Sequence, residues 1–313
     1  MLHLAKEFKM NNNETMPSVG MGCYMGGKDV KGTVAQCMEV GLKAGYRHFD
    51  TAAMYYNESV VGKHIRESAL PRHEFFVTTK LWNTCHNNVE ASFDHSLKEL
   101  DVEYIDLYLM HWPQAQHEDG TADDSTNFID TWKRMEKLLE TRAGKVKSIG
   151  VSNFSDKTLA ELLPHCTIVP ACNQIETHPY APEFPTVTYC QEKGILVTAY
   201  TPLGQFDSPI LKDKDILAIA EEVGAMPAQV ILSWNVLRGI GVLPKSANAQ
   251  RAEINIDLVS LSAEQMQRID KISQDPERHR RLNIVAFEPK TETVFGWHIS
   301  KLGWATEKFY GQD

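Results

Sequence analysis

The chain has 313 residues, 42% apolar and 23% charged, the balance of a globular protein with material for a large core. Its net charge of -9, from 41 acidic against 32 basic residues, excludes an extended nucleic-acid surface but leaves room for a local basic pocket. The 6 cysteines contain no CxxC pair, which excludes zinc ribbons and thioredoxin-type redox chemistry. No apolar run approaches the ~18 residues of a membrane span. Lys6 and Glu7 interrupt the opening MLHLAKEFKM, so no signal peptide is expected either. The expected setting is cytoplasmic, with free thiols and no membrane partner.

Residues 8–17, FKMNNNETMP, read as a β-hairpin around an Asn-rich turn. Strands and helices alternate from there. A short strand over Val19–Cys23 precedes a helix over Val30–Ala44, whose Val34, Met38 and Leu42 share one stripe. Tyr46–Phe49, entered from Gly45, is the second strand, followed by a helix over Glu58–Ser68. Glu74–Lys80, apolar and β-branched, is the third strand, and Val89–Leu100 has its apolar residues at helical spacing. Ile105–Met110 is the fourth strand. The amphipathic helix over Asn127–Arg142 closes on Ala143-Gly144. The remaining strands are Lys147–Val151, Ala171–Ile175, Ile195–Tyr200 and Gly241–Pro244. Helices over Asp156–Leu163, Phe184–Lys193, Asp213–Val223 and Pro227–Leu237 separate them, and a further helix begins at Ala249. No repeat, low-complexity run or linker interrupts the series.

Strand–helix units with near-continuous apolar strands imply a parallel sheet covered by helices, and eight such units close into a barrel. A doubly wound sheet would carry GxGxxG after its first strand. Here Gly20 and Gly22 are followed by Met25 at the third position, so that dinucleotide fingerprint is missing. The expected fold is α/β, a single (β/α)8 TIM-barrel domain over residues 1–313 with an N-terminal hairpin and a C-terminal extension.

Working residues of such barrels stand at the C-terminal ends of strands. Those ends offer Asp50, Lys80 and His111, with Tyr55 in the loop after Asp50. The set suits proton transfer to a carbonyl oxygen. A phenol of pKa ~10 is a weak acid near neutrality. An ammonium about 4 Å away interacts by ~4 kcal/mol at an effective dielectric of about 20, enough to lower that pKa by up to ~3. Asp50 would keep Lys80 charged and aimed, and a neutral His111 could donate to the same oxygen. The plain alternative is a buried Asp50–Lys80 ion pair, a core histidine and a surface tyrosine. A metal-dependent hydrolase using His48, Asp50 and His111 is a further rival, although no HxH pair or carboxylate cluster completes its site.

Several segments in order carry a resemblance: GYRHFDTAAMYYNESVVG at 45–62, TTKLWN at 78–83, LYLMHWP at 107–113, IGVSNF at 149–154, NQIE at 173–176, AYTPLG at 199–204 and LPKS at 243–246, with Arg251 beyond. Over residues 8 to 275 the chain resembles the aldo-keto reductases, fungal and aldose-reductase-like members among them. These are NAD(P)H-dependent (β/α)8 enzymes that reduce carbonyls to alcohols. The resemblance implies a tetrad of Asp50, Tyr55, Lys80 and His111 with Tyr55 as proton donor. It implies that Ser152, Asn153 and Gln174 hold the nicotinamide carboxamide, and that Tyr200 stacks on the ring. Thr201, Leu203 and Gly204 would cover the pyrophosphate. Lys245, Ser246 and Arg251 would hold the 2′-phosphate of NADPH, and Asn255 the adenine end. Ile254 stands where the family often carries Glu, which admits NADH as well.

Tyr24, where relatives often have Trp, together with Trp82 and Trp112 is expected to line a pocket for moderately apolar aldehydes or ketones, sugars among them. Tails of relatives cover the substrate mouth, and this one, 276–313, holds Trp297, Trp304, Phe309 and Tyr310. The partner is thus a small-molecule carbonyl, and the protein a monomer or homodimer. The alternative reading is a cofactor-binding regulatory or redox-sensing subunit without turnover.

Overall fold

The structure, a computed structural model, describes residues 4–26, 30–205, 207–283 and 287–309. Parallel strands form one eight-stranded sheet: β3 (Met21–Gly22), β4 (His48–Asp50), β5 (Phe76–Leu81), β6 (Ile105–Met110), β7 (Val146–Ser152), β8 (Cys172–Glu176), β9 (Leu196–Tyr200) and β10 (Ile240–Leu243), each beside the next. The sheet closes on itself just before β3, where Val19 bridges Val242, Gly20 N donates to Val242 O at 2.8 Å and Gly22 N to Pro244 O at 3.0 Å.

Strand parity explains what faces where. Alternate residues point to opposite sides. On β6, Tyr108 and Met110 join the core between sheet and helices, while Leu107 and Leu109 belong to the barrel interior. On β4 and β5 the interior parity falls on His48, Asp50, Phe76, Thr78 and Lys80. The hairpin of β1 (Glu7–Lys9) and β2 (Thr15–Pro17) supplies Met10 and Met16 to the bottom of that interior. The lower barrel is therefore filled, and only its C-terminal end is left for a site.

The outer helices are α1 (Val30–Ala44), α2 (Glu58–Glu67), α3 (Val89–Leu100), α4 (Phe128–Thr141), α5 (Asp156–Leu162), α6 (Phe184–Glu192), α7 (Lys214–Val223), α8 (Pro227–Leu237) and α9 (Ala249–Ile256). In α1 the buried residues Val34, Cys37, Met38 and Gly41 follow the i, i+3, i+4, i+7 pattern of a one-sided helix. Asn127 caps α4 by accepting from Asp130 N. Among the described residues no single helix is long and apolar enough to cross a membrane.

The elements fall within a residue or two of the sequence reading, with two additions beyond Ala249. Helix α10 (Ala263–Asp270) starts from a Ser262–Gln265 capping box. The tail forms a three-stranded antiparallel sheet, β11 (Phe287–Glu288), β12 (Thr293–Val294) and β13 (Trp297–His298), and a short helix α11 (Ile299–Leu302). It packs Val294, Leu302, Trp304 and Phe309 against Trp112. Tyr310 lies outside the described residues.

Candidate active site

Asp50 ends β4, Lys80 is next to last in β5, and His111 follows β6 directly, so the closed sheet brings the three to one rim. Lys80 Nζ donates to Asp50 Oδ1 at 2.6 Å and to Thr51 O at 2.8 Å, with both side chains buried. The other carboxylate oxygen of Asp50 accepts from Gln174 Nε2 at 2.7 Å. Tyr55 sits on a 3-10 turn over Ala53–Tyr55, which Tyr56 ends in the left-handed region at φ 55. The loop is pinned by Asn57, which accepts from Thr51 Oγ1 and donates to Cys23 O at 2.8 Å. This places the Tyr55 ring centroid 5.1 Å from Lys80 Nζ, 4.9 Å from the Tyr24 ring and 5.7 Å from the His111 ring.

The electrostatics differ from the sequence expectation in one respect. Burial, then the Asp50 carboxylate, pushes the Tyr55 phenol well above its usual range rather than below it. Burial is the larger cause, and Asp50, 2.6 Å from Lys80, adds to it by offsetting the charge that was to stabilise a phenolate. His111 behaves as expected. Burial, and secondarily Lys80, holds it far below the usual imidazole range, so it stays neutral, and its Nδ1 is buried without a hydrogen-bond partner.

These groups open into a cavity of about 830 Å³. Tyr24, Tyr55, His111, Trp112, Ser152, Asn153, Gln174 and Tyr200 line it, as do Thr201, Leu203, Gly204, Lys245, Arg251 and Asn255. Ser152 Oγ donates to Gln174 O at 2.8 Å, and Asn153 Nδ2 donates to His111 O at 2.9 Å. Tyr200 donates its phenol proton to Asn153 Oδ1 at 2.7 Å.

Two expected residues stand elsewhere. Trp82 does not line the cavity; its ring lies 5.3 Å from His111 and 5.2 Å from Phe295, behind the wall. The Ser246 hydroxyl is committed to its own turn, donating to Asn248 O at 3.1 Å and accepting from Asn248 N at 3.0 Å. His48, a ligand in the metal reading, is one layer below the rim, with its Nε2 3.0 Å from Thr78 Oγ1. The sequence reading missed Met25, Met54, Gln205, Asn283 and Phe295, all of which line the cavity. Only position beside Tyr24 and Tyr55 could have suggested the two methionines, and no local signal marks Asn283 or Phe295.

The cavity suits a large anionic ligand. No carboxylate among the described residues pairs with Lys245 or Arg251; both line the cavity, Arg251 in the first turn of α9 and Lys245 with its Nζ 5.8 Å from the centre of the Tyr24 ring. Gly22 and Gly204 leave the wall open: a Cβ on Gly22 would come 3.0 Å from Leu243 O. One on Gly204, at φ +73, would come 2.1 Å from Ser208 Oγ, itself buried without a partner. A closed barrel with a Tyr, Lys, Asp and His rim beside such a groove defines a class, the barrel oxidoreductases that use a dinucleotide.

The model of the Aldo/keto reductase family matches residues 19–274. The aldehyde reductase YPR1 of Saccharomyces cerevisiae is 42% identical over 286 residues, covering 85% of this chain and 90% of the relative. The glycerol 2-dehydrogenase (NADP(+)) of the same yeast is 41% identical, covering 88% and 93%. A Bombyx mori aldo-keto reductase solved in complex with NADP superposes with a TM-score of 0.80 at 36% identity, covering 86% of this chain and 93% of that one. The chain belongs to the aldo/keto reductase family.

Proposed function

We propose that the protein reduces aldehydes and ketones to alcohols with NADPH, Tyr55 giving the proton. The reading is carried by the buried Lys80–Asp50 pair against the Tyr55 ring, beside a cavity that Lys245 and Arg251 also line. Bound along that cavity, NADPH supplies the hydride. Lys245 and Arg251 hold its phosphate end, Asn255 the adenine, and the stretch from Thr201 to Gly204 covers the pyrophosphate. Ser152, Asn153 and Gln174 take the carboxamide, and Tyr200 offers its ring face. The loss of Ser246 to its own turn leaves the phosphate to the two cations and the backbone there.

The chemical duties fall to four side chains. Neutral His111 donates a hydrogen bond to the substrate oxygen and fixes the carbonyl in the cavity. As negative charge gathers on that oxygen, it becomes a far stronger base than a phenolate, so a Tyr55 of raised pKa still delivers its proton. Lys80 stabilises the phenolate that remains, and Asp50 keeps Lys80 aimed. The substrate wall is Tyr24, Met25, Met54, Trp112 and the tail residue Phe295. It is apolar and aromatic and suits neutral, moderately apolar carbonyl compounds. The tail thus walls the substrate mouth of one barrel domain.

We place the protein in the cytoplasm as a monomer or homodimer, which light scattering on the purified chain would decide. The named relatives are reductases and dehydrogenases, so a sensing subunit without turnover is not favoured. The deciding experiment follows NADPH consumption on a panel of aldehydes and ketones. Turnover that needs NADPH and an intact Tyr55 is expected; no consumption with any carbonyl would sink the proposal.

A further inference from the structure

The tail touches more than the outer mouth. Glu176, the last residue of β8, accepts at Oε1 from the backbone amides of Leu282 and Asn283 at 2.7 and 2.9 Å, and lies 3.0 Å from His178 Nε2. Arg281 Nη1 stands 3.2 Å from Glu176 Oε2 and its Nη2 2.7 Å from Glu183 Oε1. These buried contacts fix the backbone at Asn283. The Asn283 side chain, which lines the cavity, then reaches the expected cofactor site. Its Oδ1 accepts from Gln205 Nε2 at 2.7 Å, in the loop that follows β9. That loop continues from Tyr200, which lines the same cavity and donates its phenol proton to Asn153 Oδ1 at 2.7 Å.

Resting on the function proposed above, we propose that Asn283 is a positioning residue of the cofactor site. It latches the Gln205 loop, which continues from Tyr200, across the cavity. The tail thereby sets how tightly and how long the dinucleotide stays, in addition to walling the substrate. Losing one hydrogen bond of ordinary strength corresponds to roughly fivefold in a binding constant.

The test compares Asn283→Leu, which keeps the bulk and removes the hydrogen bond to Gln205, with Gln205→Leu and Phe295→Ala. NADPH affinity is read by fluorescence titration, release by stopped flow, and KM on a small aldehyde at saturating NADPH. Asn283→Leu is expected to weaken NADPH about fivefold, chiefly through faster release, with KM for the small aldehyde within about twofold. Gln205→Leu should speed release by a similar factor, and Phe295→Ala should raise KM without changing NADPH affinity. Unchanged NADPH affinity in a folded Asn283→Leu protein overturns the proposal. Should that variant not fold, unchanged release in Gln205→Leu overturns it instead. Failure of the wild type to bind NADPH at all would sink the functional reading itself.

Discussion

At the scale of residues, the Tyr55 phenol decides the pH behaviour. Its pKa lies well above the usual range, so it is protonated throughout neutral and mildly alkaline solution, and His111 is neutral there too. Neither group changes charge between about pH 6 and 9. The kcat/KM for carbonyl reduction should be flat across that window, while alcohol oxidation, which needs the phenolate, should climb with pH. A reductive profile with a limb near pH 7 that disappears in Tyr55→Phe would contradict this. Tyr55→Phe itself should lower kcat by ~10²–10⁴, the usual worth of a positioned acid, and leave NADPH affinity in place.

Two buried histidines away from the site set a second pH dependence. Burial lowers His48 to about 4 and His86 to about 3. In the unfolded chain both take a proton below about 6.5. Between there and about 4, the unfolded state therefore binds more protons than the folded one, and stability falls as pH falls, by up to ~1.4 kcal/mol per pH unit for each histidine. Urea midpoints should drop on going from pH 7 to 5, and less steeply in His48→Gln. Equal slopes would remove His48 from the account.

At the scale of elements, the rim depends on how α2 is seated, because α2 starts three residues after Tyr55. Its Gly62 touches the end of α3: a Cβ there would stand 1.7 Å from Leu100 O, a backbone atom that cannot swing aside. Arg66 Nη1 donates to the same oxygen at 2.7 Å. Gly62→Ala should cost about 1–3 kcal/mol through overpacking, and more where the backbone resists. Urea unfolding measures it, and a loss under about half a kcal/mol would mean that the helices part freely.

The same scale shows what could be read in the chain. Strands with strict parity, with Asp50, Lys80 and His111 at or beside their C-terminal ends, carry both the barrel and the rim in their own spacing. Helix α10 is also legible, since Ser262 and Gln265 make a capping box. Trp82 and Ser246 fall at the right positions, and only three-dimensional packing tells that one is behind His111 and the other tied into its turn. The tail sheet was not legible. Its strands span two residues each, too few for a period, and Phe295 lies in the left-handed region at φ 48. What holds it is distant in sequence: Gln114 Nε2 donates to Val294 O at 2.8 Å and Gln116 Nε2 to Phe295 O at 3.2 Å.

At the scale of the whole molecule, barrel and tail are joined by charge in a dry setting. Arg281 is 2% exposed and Glu176 and Glu183 are 1% and 2%. The guanidinium lies 3.8 Å from the centre of the Trp304 ring, its Nε donates to Thr306 O at 2.8 Å, and Glu183 accepts from the amides of Ala305 and Thr306. Both ends of the tail therefore meet at one cation. Such a cluster costs desolvation and repays it only while complete; losing one partner strands the others, typically at ~3–5 kcal/mol. Arg281→Met should lower the melting temperature sharply and open the segment 287–309 to proteases before the barrel is cut. Adding Glu176→Gln and Glu183→Gln removes the stranded charges and should recover a good part of the stability, which a simple loss of packing around Arg281 would not allow. Proteolysis of the single variant at the wild-type rate, or no recovery in the triple variant, would mean that the tail is held by its aromatic contacts with Trp112 and not by the buried charges.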